Sequence, residues 1–310
     1  MPDTPYLKLG TRTSPLAMVQ AQEARARLCA AHGWVESAVE LVPVIASGDK
    51  VQDRALAEIG GKALWTKELD AWLADGTIDA AVHSLKDVET VRPETLAIAA
   101  VLPRADKRDR LVGASSIAGL PQGAVVGTSA PRRAAQVLYA RPDCTVVTFR
   151  GNVATRLAKL QAGDVDATFL AAAGLDRLGR DDIGHALDPA AWLPAPAQGA
   201  IAIECRAGDS AALGLLAAID HAPTRAEVMA ERALLLALGG NCHSPIAVLC
   251  DGDGDTLTMR AALFSPAGQT RVDGEARFVA DDHDAPARLA ADLLARAPSG
   301  ITAYFAGRPA

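Results

Sequence analysis

Gly10-Thr-Arg-Thr-Ser-Pro15 and Gly127-Thr-Ser-Ala-Pro131 are two versions of one local pattern. Each closes an apolar run that reads as a strand, Tyr6–Thr11 and Val125–Thr128, and each ends on a proline that opens a helix. Proline suits a first helical position because that residue's N–H has no intrahelical acceptor. A glutamine follows five residues after each proline, Gln20 and Gln136. A second pair repeats in the same order: Gly76-Thr-Ile-Asp-Ala80 and Gly163-Asp-Val-Asp-Ala167, each between a helix and a strand. The repetition predicts two similarly built α/β domains; coincidence between turn sequences is the other reading.

The elements around these anchors alternate. Pro15 to about His32 reads as a helix, Val39–Ile45 as a strand, Thr66–Ala74 as a helix, and Ile78–His83 and Leu96–Leu102 as strands. Pro103–Asp109 is polar and reads as a crossover. Pro131–Arg141 is the next helix and Thr145–Arg150 a strand. Asn152 caps a helix to Ala162, and Asp166–Ala172 is a strand. A second crossover, Pro194-Ala-Pro-Ala-Gln-Gly199, leads to a strand Ala200–Cys205 and returns the chain to the first domain. Thr224-Arg-Ala-Glu227 reads as a capping box for a helix to Leu238. Strands Ile246–Cys250, Thr256–Phe264 and Thr270–Phe278, joined by Asp/Gly and Pro-Ala-Gly turns, then form an antiparallel meander before a helix Ala285–Ala297. The expected fold class is α/β with three domains. Two similar α/β domains, 1–102 with 197–219 and 105–193, surround a cleft. A small α+β C-terminal domain, 222–310, carries an antiparallel three-stranded sheet.

Half of the 310 residues are hydrophobic and only 4% aromatic, so the core is built from small side chains. The formal charge of −6 argues against nucleic acid or an anionic membrane as partner. The five cysteines show no CxxC or Cys/His metal spacing, which predicts free thiols, no metal and a reducing compartment. The opening Met-Pro-Asp-Thr-Pro has no basic or apolar signal region, and no apolar run is long enough to span a bilayer. A cytoplasmic protein is expected, and a monomer, since no sustained heptads appear.

Ligands of open α/β sheets sit at the carboxyl ends of strands. Arg12, Ser14, Thr128, Ser129, Arg150 and Asn152 all fall at strand-to-helix junctions. The helix starts there favour anions through free N–H groups and the dipole. One arginine at such a place is usually a solvated surface residue. Arg12, Lys86, Arg132, Arg133, Arg150 and Arg156 together predict an anion cleft. Val82-His-Ser-Leu-Lys-Asp87 sets a cation beside an acid past a strand, either a surface ion pair or a functional carboxylate. Gly60-Gly-Lys-Ala-Leu-Trp65 lacks P-loop spacing and reads equally as a loop over the cleft or an ordinary loop around a tryptophan. Cys29, Cys144, Cys205 and Cys250 sit in apolar surroundings and read as core filler, whereas Cys242 lies on the turn Leu238-Gly-Gly-Asn-Cys-His-Ser-Pro245. His243 either lowers the thiol's pKa or is simply exposed.

TRTSPLA (11–17), GGKALWTKELD (60–70), AVHSLKDV (81–88), GTSAPRR (127–133), RGNVATRL (150–157), AAAGLDRLG (171–179), QGAIAIECR (198–206) and GGNC (239–242) together resemble the porphobilinogen deaminase (hydroxymethylbilane synthase) family. The resemblance implies two domains like type II periplasmic binding proteins and a third that carries the cysteine. It implies an enzyme that joins four porphobilinogen molecules head to tail into hydroxymethylbilane, releasing ammonia each time. Growth would occur on a dipyrromethane cofactor held by a thioether to Cys242. By the same resemblance Lys86, Ser84, Thr128, Ser129, Arg132, Arg133 and Arg156 hold that cofactor. Arg12, Ser14, Gln20, Arg150, Arg156, Arg177 and Gln198 serve the substrate, Asp87 is the catalytic carboxylate, and Lys62 and Trp65 belong to a lid. Trp65, Pro131, Ala197, Asn241 and His243 depart from the common family residues, and none of these removes a charged group. The competing reading is a cleft-type organic-anion binding protein without catalysis, which would need no cysteine.

Overall fold

The computed structural model describes residues 5–45, 66–241 and 243–305. In chain order the first elements are β1 (Leu7–Arg12), α1 (Pro15–His32), β2 (Val39–Val44), α2 (Lys67–Asp75), β3 (Ala80–Ser84), β4 (Leu96–Val101) and β5 (Asp109–Val112). Next come β6 (Val125–Gly127), α3 (Pro131–Ala140), β7 (Thr145–Val147), α4 (Val153–Gln161), β8 (Ala167–Ala171), α5 (Ala172–Arg177) and β9 (His185–Ala186). The last are β10 (Ile201–Arg206), α6 (Ser210–Ala217), α7 (Ala222–Ala237), β11 (Ile246–Asp253), β12 (Thr256–Phe264), β13 (Arg271–Val279), α8 (Ala285–Arg296) and α9 (Ser299–Thr302).

These residues form two compact units, one from 5–45, 66–105 and 199–225, the other from 106–198 and 226–305. The first unit holds a five-stranded sheet ordered β2-β1-β3-β10-β4. β1 runs parallel to β2 and β3, while β10 is antiparallel to both β3 and β4. Leu7, Leu9, Val82, Ile201 and Ile203 pack there with Ala21, Ala24 and Leu28 of α1. The second unit holds a sheet ordered β7-β6-β8-β5-β9, with β6 parallel to β7 and β8 and β5 antiparallel to β8. The two orders are the same: three parallel strands, an antiparallel fourth, then a fifth. The internal echo in the sequence is therefore a repeated architecture. As expected, the second proline-rich crossover returns the chain to the first sheet, as β10. The second unit also contains the antiparallel sheet β11-β12-β13, with α8 against it and a core of Leu234, Val248, Met259, Leu263 and Leu293.

The quoted motifs fold for local reasons. Ser14 Oγ accepts from the Ala17 N–H at 3.4 Å, Pro15 starts α1, and Gly33 ends it at φ 68°. Asn152 Oδ1 accepts from the Thr155 N–H at 2.9 Å and caps α4 as its sequence position predicts. The two motif glycines answer close approaches. A Cβ on Gly10 would lie 2.3 Å from Ile78 Cδ1, and one on Gly127 would lie 2.6 Å from the Phe149 ring. Several elements differ from expectation. The polar segment ending at Asp109 runs into strand β5, too short to show an alternation. α5 and α6 interrupt stretches without a clear helical stripe. Thr224 does not cap α7, because the helix starts earlier; His221 Nδ1 accepts from the Thr224 N–H at 3.3 Å, and Thr224 Oγ1 accepts from the Arg104 N–H at 3.0 Å.

Candidate active site

In the first unit, parallel neighbours β1 and β3 bring their carboxyl ends to one edge of the sheet. Arg12 is the last residue of β1, half-buried. The hydroxyl of Ser14 serves α1 as its cap. Gln20, 4% exposed, binds Ser84 twice: its Nε2 donates to Ser84 Oγ at 2.8 Å, and its Oε1 lies 3.2 Å from the same hydroxyl. Ser84 closes β3, and a single 3-10 turn, Leu85–Asp87, follows. Leu85 is fully buried and donates its N–H to the Ala200 carbonyl at 3.1 Å, so the turn presents Lys86 and Asp87 half-buried at the sheet edge. Among the described residues the Asp87 carboxylate makes no hydrogen bond or ion pair.

In the second unit, the parallel strands β7, β6 and β8 likewise end together. Thr128 and Ser129 follow β6. Thr128 Oγ1 accepts from the Ala130 N–H at 3.2 Å. Ser129 Oγ donates to the Phe149 carbonyl at 3.0 Å and accepts from the Phe149 N–H at 3.1 Å, fixing the approach to buried Arg150. Arg156 on α4 donates from Nε to the Gly151 carbonyl at 3.0 Å, and Arg177 ends α5 half-buried.

Arg132 and Arg133 open α3, and both are buried around Asp109, the first residue of β5. Arg132 Nη2 reaches Asp109 Oδ2 at 2.8 Å and Arg133 Nη2 reaches Oδ1 at 2.8 Å. Trp192 Nε1 donates to Oδ2 at 2.9 Å, and Gln198 Nε2 donates to Oδ1 at 2.9 Å and to the Lys107 carbonyl at 2.8 Å. Gln198 is fully buried, its amide engaged in this cluster. Burial pushes the Asp109 carboxyl up, but Arg132 and Arg133 outweigh it and hold it well below the usual carboxylate range. Burial pulls Arg132 down, partly opposed by Asp109. Two guanidiniums against one carboxylate leave a buried excess of one positive charge. Arg132 Nε is also buried without a hydrogen-bond partner among the described residues. A buried positive excess with an orphaned donor fits a polycarboxylate such as the dipyrromethane. Sequence reasoning missed Asp109 and Trp192. The one signal was an acid, Asp109, inside the basic run Lys107-Arg-Asp-Arg110.

Cys242, Lys62 and Trp65 lie outside the described residues. Around Cys242, Asn241 is exposed, its N–H donating to Ser244 Oγ at 3.0 Å and its Oδ1 accepting from the His243 N–H at 2.8 Å. Burial lowers the pKa of His243 and so disfavours its imidazolium form. The turn follows α7, whose fully buried Glu231 accepts from the N–H groups of Ala197 and Cys250 at 2.5 and 2.8 Å. Cys29, Cys144, Cys205 and Cys250 are buried and in no disulfide, as expected of core filler, and burial pushes the Cys205 thiol up to about 11.

Two family descriptions match the chain: Porphobilinogen deaminase, dipyromethane cofactor binding domain, over residues 7–213, and Porphobilinogen deaminase, C-terminal domain, over 225–295. A porphobilinogen deaminase of Sphingopyxis alaskensis is 57% identical over 311 residues, covering 98% of each chain. One from Paracoccus denitrificans is 47% identical over 304 residues, covering 96% of this chain and 97% of its own. Among solved structures, the VFT2 domain of Bordetella pertussis BvgS aligns with 18% identity over 69% of this chain and 85% of its own, at a TM-score of 0.39. The protein is thus a three-sheet α/β enzyme of the class that carries a dipyrromethane. The chain belongs to the porphobilinogen deaminase family. No helix of the described residues is long and apolar enough to cross a membrane.

Proposed function

We propose that the chain deaminates porphobilinogen and joins four molecules head to tail into hydroxymethylbilane, with the residues above in the following roles. Each addition breaks the substrate's C–N bond, the ammonium group leaving as ammonia with the electron pair. One C–C bond forms, and the attacked pyrrole carbon gives up its proton; release of the product would consume one water, whose hydroxyl goes to the product's terminal methylene and whose proton goes to the pyrrole carbon it leaves. When bound, the dipyrromethane supplies the pyrrole carbon from which the chain grows, through a thioether to Cys242.

Asp87 accepts hydrogen bonds from pyrrole N–H groups and opposes the positive charge left on the substrate as ammonia departs. A fixed carboxylate aimed at a transient cation is electrostatic catalysis. Arg12, Arg150, Arg156 and Arg177, with Ser14 and Gln20, bind and orient the substrate's acetate and propionate, while Gln198, fully buried with its amide on Asp109, acts only through that cluster. Arg132, Arg133, Lys86 and Arg156, with Ser84, Thr128 and Ser129, hold the cofactor's carboxylates. The protein works as a cytoplasmic monomer; buried cysteines outside any disulfide among the described residues support the reducing compartment.

The observation that carries this reading is the Leu85–Asp87 turn: a half-buried carboxylate, beside Lys86, with no partner among the described residues, at the carboxyl edge of the sheet. The test is the mass of the intact protein beside ammonia release. Wild type should carry an adduct that Cys242→Ala lacks, and Cys242→Ala should make no hydroxymethylbilane. Wild type of bare chain mass that still binds carboxylates would favour the non-catalytic anion-binding reading.

A further inference from the structure

The turn that carries Asp87 is flanked by two side chains that meet one buried carboxylate, and the downstream one is hydrogen-bonded to it. Glu204, on β10 beside β3, is fully buried. Upstream of the turn, His83 Nε2 lies 3.3 Å from Glu204 Oε2. Downstream, Arg92 donates to the same carboxylate twice, Nε to Oε1 at 2.9 Å and Nη2 to Oε2 at 2.9 Å. Arg92 also donates to Asp70 of α2 at 2.6 and 3.1 Å, to Glu89 at 2.8 Å and to Thr66 Oγ1 at 3.4 Å. Burial opposes the charge of Arg92, but Asp70 and Glu204 overcome it and push its pKa above the ordinary value. The segment from Val88 to Pro93 belongs to no strand or helix. Side chains tie it to its surroundings: Val88 is buried, and Arg92 donates to Glu89 within the segment and to Glu204 and Asp70 outside it.

We propose that Arg92 is a positioning residue for Asp87, fixing the exit of the Leu85–Asp87 turn against β10 and α2. The proposal rests on the reading of Asp87 as the catalytic carboxylate. Preorganisation makes the mechanism quantitative: a displacement of about 1 Å costs on the order of a hundredfold in rate. Loss of the guanidinium frees the exit segment from Glu204 and Asp70 together, so the carboxylate samples positions away from the pyrrole N–H.

The test is a kinetic cycle on cofactor-loaded protein whose folding is checked by near-UV circular dichroism. Arg92→Gln is expected to keep the adduct mass and KM within about threefold while kcat falls by roughly 10–100-fold. Arg92→Lys, which keeps one charged contact, should recover about tenfold of that loss. In an Asp87→Glu background, where the carboxylate is already displaced, Arg92→Gln should cost less than about threefold in kcat. A purely structural ion cluster predicts the same fold-loss in both backgrounds, and that result overturns the proposal. So does an Arg92→Gln enzyme with wild-type kcat when Asp87→Asn is inactive, which leaves the role of Asp87 standing. Asp87→Asn at the wild-type rate overturns both. If Arg92→Gln is not recovered folded, Glu89→Gln removes one link at the protein surface. The cycle then uses that variant, and equal losses in both backgrounds overturn the proposal.

Discussion

Replacing Asp109 by asparagine removes a charge while keeping the shape. The carboxylate is fully buried and accepts from Arg132, Arg133, Trp192 and Gln198. Oδ2 serves Arg132 Nη2, Arg133 Nε and Trp192 Nε1, while Oδ1 serves Arg133 Nη2 and Gln198 Nε2. Whichever way an asparagine amide is turned, its NH2 faces at least two of these donors. Two guanidiniums are then buried without a counter-charge. Breaking a buried pair in this way costs about 3–5 kcal/mol. For a chain of this size, with an unfolding entropy of about 0.65 kcal/mol/K, that corresponds to a fall in Tm of about 5–8 °C. The assay is thermal unfolding by circular dichroism of Asp109→Asn against wild type, both at pH 7, with intact mass recorded on the same samples. The variant is also expected mainly without the adduct, because its two arginines lose their fixed directions. A loss below about 1 kcal/mol would refute the claim that Asp109 holds the pair.

Asp87→Glu is expected to retain slow single-turnover ammonia release while Asp87→Asn retains almost none, because the charge and not the acceptor atom opposes the substrate cation; an Asp87→Asn enzyme as fast as wild type removes Asp87 from the chemistry. Burial raises the Glu204 carboxyl, but His83 and Arg92 outweigh it and hold it at about 2, against an ordinary value of 4.5. Its depressed pKa contributes stability that is fully present above about pH 4.5 and lost as pH falls toward 2. Glu204→Gln should therefore lower Tm at pH 7 and flatten the decline of Tm between pH 4.5 and 2. An unchanged acid slope in the variant would show that another carboxylate sets it.

The repeated strand–proline motifs made the architecture readable, because turn chemistry at Gly10–Pro15 and Gly127–Pro131 is local and the same constraint acts twice. The family motifs made the chemistry readable for the same reason, since they occupy contiguous stretches. Asp109 and Arg92 were not readable. Their importance comes from partners far along the chain, Trp192 and Gln198 for one and Glu204 for the other. No spacing rule connects such residues; only the sheet order brings β10 beside β3. Ser14 was readable as the cap of α1, because that bond is local; Ser129 was readable as a junction residue, but not its two bonds to Phe149, which depend on where the neighbouring strand ends.

The strand order also sets a timetable for synthesis. β10 lies between β3 and β4, so until it arrives β4 has no neighbour in the first sheet. The second five-stranded sheet, by contrast, is drawn from one uninterrupted stretch, β5 to β9. At about 5–20 residues per second on the ribosome, the stretch between the end of β4 and the end of β10 takes roughly 5–20 s to emerge. The later-encoded sheet can therefore close first, while the N-terminal strands, including the one that leads to Asp87, wait with an open edge. A nascent chain stalled shortly before Ile201 would expose that edge to chaperones.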